Sequence, residues 1–64
     1  MRLARLRRDI DLFAGRETYT ASKGTMVRVY GKSLFSDTYL CSIPGYSRDW
    51  YVAINYLEFL DESN

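Results

Sequence analysis

The stretch Lys23-Gly24-Thr25-Met26-Val27-Arg28-Val29-Tyr30-Gly31 decides how this chain folds. Between its two glycines the residues alternate. Val27 and Val29 fall on one side; Met26, Arg28 and Tyr30 fall on the other. A period of two with β-branched residues on one face belongs to a strand that is half in a core and half in water. Lys23-Gly24 is the turn that leads into it, because Gly accepts a backbone conformation that other residues resist. Downstream, Thr38 to Ile43 predicts a second strand with Tyr39, Cys41 and Ile43 on one face, and Trp50 to Ala53 a third. Gly31 to Asp37 reads as a polar hairpin loop carrying Phe35, and Pro44-Gly45 as a turn that Tyr46 to Asp49 extends. Asn55 to Leu60 predicts one helical turn and a short final strand, before a polar end at Asp61 to Asn64.

Upstream the pattern reads two ways. Leu3, Leu6, Ile10 and Phe13 recur at helical spacing, yet Ala4, Leu6, Ile10 and Leu12 share one parity of a strand, interrupted only by Arg8. A helix here would place arginines at its start and acids towards its end, opposite to what the macrodipole favours. We therefore expect a strand over residues 6–13, a loop from Gly15 to Glu17 and a short β-prone piece at Tyr19 to Ala21. Five short strands with loops of a few residues imply an all-β fold, a small five-stranded barrel in a single domain over residues 1–64. The alternative is an α+β domain with an N-terminal helix on a short antiparallel sheet.

A chain of 64 residues must find its stability in an efficient core, since so short a chain buries only about 60% of its unfolded surface. The single Cys41 excludes an internal disulfide, and the absence of histidine excludes a zinc site of the cysteine–histidine kind. No apolar run approaches the roughly 18 residues of a membrane span. Arg2, Arg5, Arg7 and Arg8 make the N-terminus basic, but Asp9 and Asp11 interrupt any signal-peptide core. The expectation is a cytoplasmic protein, of a bacterium or of a virus-infected cell. Net charge is +1 but unevenly spread. Residues 1–32 hold eight basic and three acidic side chains (+5), and residues 33–64 hold one and five (−4). Such a split marks either a basic binding face or two halves that pair their charges.

The ordered run Lys23-Gly24-Thr25, Val27, Val29, Gly31, Tyr39, Tyr51-Val52 and Tyr56-Leu57 resembles the bacterial version of the Src-homology-3 domain. Ile10 to Gly15 is similar in apolar spacing to that family's opening strand. Asn55-Tyr56 matches the asparagine-tyrosine pair that the eukaryotic version carries on a short helical turn. The resemblance covers about residues 10–60 and implies an SH3-like barrel; cell-wall binding, common in the bacterial version, usually accompanies export or a lytic domain and is not expected here. Two positions depart from the family's pattern. The tryptophan on which proline-rich ligands stack would fall near Thr38, and the proline that shapes their groove at Ala53. Recognition of a proline-rich helix, which needs an aromatic-lined groove, is therefore not expected.

Catalysis is hard to assemble from these residues. Without histidine, acid–base work would fall to scattered carboxylates, and Cys41 sits mid-strand on the apolar parity. No spacing suggests a metal loop, and no cofactor motif is present; Gly24, Gly31 and Gly45 are isolated turn glycines. The aromatics carry more information. Val27, Val29, Cys41, Val52 and Leu57 suffice for a small core, which leaves Tyr30, Phe35, Tyr46 and Trp50 for loops or the outer face. With Arg28, Lys32, Arg5 and Arg7 they form the expected partner-binding set of a non-catalytic module that takes another protein. An adaptor, a small subunit of a complex and a phage-encoded inhibitor of a host protein all fit. The alternative is a nucleic-acid-binding barrel that tracks phosphates with the N-terminal arginines.

Overall fold

The computed structural model describes residues 1–60. Asp61 to Asn64, the expected polar end, lie outside the described residues. The fold is all-β, with strands β1 (Arg2–Leu6), β2 (Ile10–Ala14), β3 (Glu17–Ala21), β4 (Met26–Lys32), β5 (Thr38–Ser42), β6 (Asp49–Ala53) and β7 (Leu57–Phe59). A single 3-10 turn, Ile54–Tyr56, precedes the last strand. Strands occupy residues 2–14 except for a break at 7–9, so the α+β alternative is set aside.

Five strands form one antiparallel sheet in the order β6-β5-β4-β1-β7, and β2 and β3 form a separate hairpin. The single strand expected over 6–13 is instead two. Ala4, Leu6, Ile10 and Leu12 do face inwards together, but an unbroken strand would also turn Arg8 into the core. The chain bends at Arg7-Arg8-Asp9 instead. Arg8 then lies over the Tyr56 ring at 5.2 Å, and the Asp9 carboxylate accepts the backbone N–H of Lys23 at 2.7 Å. The bend carries Ile10 and Leu12 onto a second layer facing the first.

That layer also corrects the expected loop over Gly15 to Glu17. Ala14 pairs with Glu17, so only Gly15 and Arg16 make the turn, with Gly15 at φ +63° and Arg16 at negative φ. A positive φ at the first loop residue alone is the II′ pattern, whose twist suits a two-residue hairpin. At the other hairpin, Pro44 and Gly45 (φ +92°) occupy the centre of a turn closed by Tyr46 N–H to the Ile43 carbonyl at 3.2 Å.

The two layers enclose one core: Ala4, Leu6, Ile10, Leu12, Ala21, Val27, Val29, Cys41, Ile43, Val52 and Leu57. β4 follows its alternation closely, with Val27 1% and Met26 44% exposed. A bulge at Tyr30 shifts its register with β5, from Val29 opposite Cys41 to Gly31 opposite Leu40. β7 returns to pair with β1, where Arg7 secures the junction. Its backbone N–H donates to Tyr56 at 2.8 Å and its Nε to the Leu57 carbonyl at 3.0 Å.

Truncating Val27 or Val29 to Ala should therefore cost about 1–3 kcal/mol, whereas Met26→Ala, on the wet face of the same strand, should stay within about 0.5 kcal/mol. Urea unfolding of the three variants checks this. Equal losses at all three positions would mean that β4 does not have this register.

Candidate functional site

Seven of the eight residues expected to bind a partner fall in three places. Arg5, Arg28 and Tyr30 project from the outer face of the five-stranded sheet. Lys32 and Phe35 belong to the β4–β5 end, and Tyr46 and Trp50 to the β5–β6 end. Arg7 is taken up by the Leu57 carbonyl and serves the fold.

On the outer face, Leu3 lies opposite Arg28 and Arg5 opposite Met26, while Glu58 on β7 flanks Arg5. Tyr51, which parity on β6 could have flagged, shares this face with Leu40. Neither Arg5 nor Arg28 has an ion-pair partner among the described residues. Leu3, Met26 and Arg28 line a shallow groove of about 440 Å³, whose other wall is Ser42, Pro44 and Tyr46.

At the β5–β6 end the expectation of exposed aromatics is corrected. Tyr46 and Trp50 are half-buried and pack on the core with Tyr19. Inward parity puts Trp50 opposite Cys41, so the indole covers the open end of the core. Arg48 stacks over it at 5.4 Å, and its shielded Nε1 has no hydrogen-bond partner among the described atoms.

The β4–β5 loop is built differently. Lys32 points its ammonium into the loop, 3.7 Å from Asp37, and donates to the carbonyls of Ser36 at 3.4 Å and Ser33 at 3.5 Å. The Phe35 N–H donates to Ser33 Oγ at 3.1 Å, and the hydroxyls of Ser36 and Thr38 share a hydrogen bond at 2.8 Å. Backbone bonds at the base tie Ser33 to Thr38 and Ile54 to Asp37, each at 2.9 Å. On this frame Leu34 is 91% and Phe35 95% exposed. Leu34 was not among the expected site residues, although an apolar pair inside a polar loop is legible in sequence.

Arg2 stacks on Phe59 at 3.8 Å, and Phe59 in turn meets Tyr39 edge-on at 5.3 Å. Among the described residues, no group of three metal-ligating side chains converges, and no helix is long and apolar enough to cross a membrane. No protein-family model, curated protein or solved structure matches the chain.

Burial, with a smaller contribution from the Asp49 carboxylate, pushes the Cys41 thiol up to about 11. A thiol held protonated in the fold stays protonated after the unfolded chain has begun to lose its proton. Its contribution to stability is thus full below pH 9 and falls as pH rises from about 9 to 11. Subtracting the pH profile of Cys41→Ala from that of the parent should leave this decline. Alkylation at pH 8 should proceed only as fast as the protein opens, and immediate labelling of the native protein would contradict the buried placement.

Proposed function

We propose that this chain is an SH3-like small barrel acting as a non-catalytic protein-binding module, which inserts Leu34 and Phe35 into an apolar pocket of its partner. The barrel reading rests on the closing strand returning to the first after a short helical turn that carries Asn55-Tyr56. It rests also on the hairpin that covers the curled sheet over a shared core.

The observation that carries the function is the pair of neighbouring large apolar side chains held almost fully in water by an ordered loop. Exposing them is unfavourable, and burying a Leu or Phe side chain returns about 1.5–3 kcal/mol each. Because the loop is held by its own hydrogen bonds, little ordering entropy would be lost on docking. The loop's charges argue for protein rather than lipid. A bilayer anchor benefits from unpaired basic residues beside its apolar tip, whereas the Lys32 charge is matched by Asp37 within the loop. Nucleic acid is the weaker reading for a related reason. Arg2, Arg7 and Arg8 are engaged by Phe59, Leu57 and Tyr56, and Arg5 has the carboxylate of Glu58 as its cross-strand neighbour.

Phe35→Ser should weaken partner binding by about 30-fold or more, the loss of an anchor worth ~2 kcal/mol, and more than Arg28→Ala or Arg5→Ala does. Its melting temperature should stay at the parent's. Affinity capture from the producing cells, quantified for parent and variants, with melting measured alongside, provides the check. Unchanged capture by Leu34→Ser/Phe35→Ser would remove the loop from the interface. Sedimentation with anionic vesicles, or oligonucleotide binding that collapses with salt, would replace the protein partner with lipid or nucleic acid.

A further inference from the structure

The β2–β3 hairpin is longer than the core it covers. Its inward face runs from Ile10 and Ala21, through Leu12 and Tyr19, to Ala14 and Glu17 at the tip. Ile10, Ala21 and Leu12 are buried and Tyr19 half-buried, but the tip overhangs the β5–β6 loop, at the opposite end of β5 from Phe35. Between tip and loop lies a notch of about 330 Å³, at the small end of the roughly 300–1,000 Å³ of ligand pockets.

Its walls are aromatic. Tyr19 and Tyr46 meet at 5.2 Å and 57°, with the Trp50 indole beside them. The Tyr46 hydroxyl is spent on the Thr20 carbonyl at 3.3 Å, and the Tyr19 hydroxyl donates to a Glu17 carboxylate oxygen. That hydrogen bond, with burial and the Glu17 charge behind it, raises the Tyr19 pKa. The notch thus offers π faces and the Glu17 carboxylate, with both tyrosine hydroxyls engaged and Ser47 and Arg48 completing its lining. One aromatic wall already holds a cation, since the Arg48 guanidinium sits 5.4 Å from the Trp50 ring centre.

We propose that this notch binds an alkylated ammonium cation, of the kind carried by a methylated lysine side chain or by free choline. Aromatic faces attract cations through the ring quadrupole, and most effectively when the cation sheds its water readily. A primary ammonium is strongly hydrated and gives up more water to reach a π face than an alkylated one does. A quaternary ammonium has no N–H to satisfy. Glu17 then supplies the counter-charge, and Arg48 competes as a tethered cation.

Trp50 is the only tryptophan, so its fluorescence reports on the notch directly. Tetramethylammonium chloride should produce a saturable change at millimolar concentration, and sodium chloride at equal ionic strength should not. Nα-acetyl-trimethyllysine amide and choline, titrated separately, distinguish a peptide-borne source from a free one; whichever binds at least about fivefold more tightly is the source. The unmethylated lysine amide should bind about fivefold more weakly than its trimethylated form. Glu17→Gln, at an exposed position, should weaken tetramethylammonium binding by about fivefold without changing the circular dichroism, and Arg48→Ala should tighten it. The proposal is overturned if tetramethylammonium gives no saturable signal, or if lysine and trimethyllysine bind alike. Retained affinity in Glu17→Gln, or weaker binding in Arg48→Ala, overturns it as well.

Discussion

Everything in this fold depends on the side to which β4 turns its valines. β4 is the central strand of the larger sheet, paired with β1 on one side and β5 on the other. A slip of one residue would place Met26, Arg28 and Tyr30 in the core and drive Val27 and Val29 into water. An unpaired arginine in so small a core has no compensation, so the register is fixed by what cannot be buried as much as by what can. The same constraint shapes the N-terminus. Arg8 falls on the inward parity, cannot go in, and the chain bends where it stands. That bend converts one long strand into two layers, and two layers are what close the core.

The core consists mainly of aliphatic residues of modest size, which leaves the aromatics to the ends. At one end Tyr19, Tyr46 and Trp50 cover the core and leave a notch among themselves. At the other a loop hydrogen-bonded to the half-exposed Lys32 ammonium keeps Leu34 and Phe35 in water. These two ends are chemically different, one concave and lined by aromatic rings, the other convex and apolar. A scaffold of this size can present both because β5, only five residues long, separates them.

Much of this was legible in the sequence, and for identifiable reasons. β4 and β5 alternate cleanly, so their faces are assigned residue by residue, and Asn55-Tyr56 marks the helical turn. The first two strands were fused because Ala4, Leu6, Ile10 and Leu12 keep one parity straight through the bend, which only Arg8 betrays. The loop from Gly15 reads one residue too long in sequence because Glu17 looks polar, yet it pairs with Ala14 and starts β3 at the overhanging tip. Phe35 stood out as an aromatic in a polar loop. Trp50 was misplaced to the surface because parity alone does not show whether an inward residue at a strand's start caps the core or reaches solvent. The scatter of the basic residues was not legible at all. Arg7 could be assigned to a carbonyl 50 residues away only once β7 was seen to return to β1.

The central claim is that the β4–β5 loop is a pre-ordered frame for two exposed apolar side chains, and backbone order parameters from ¹⁵N relaxation test it without any partner. The account predicts values near 0.85 for Ser33 to Asp37, matching the strands on either side. It also predicts that replacing Lys32 with Met lowers them in this loop alone. Values below about 0.6 in the parent protein would contradict it, because a loop that already fluctuates on the nanosecond scale holds nothing in place.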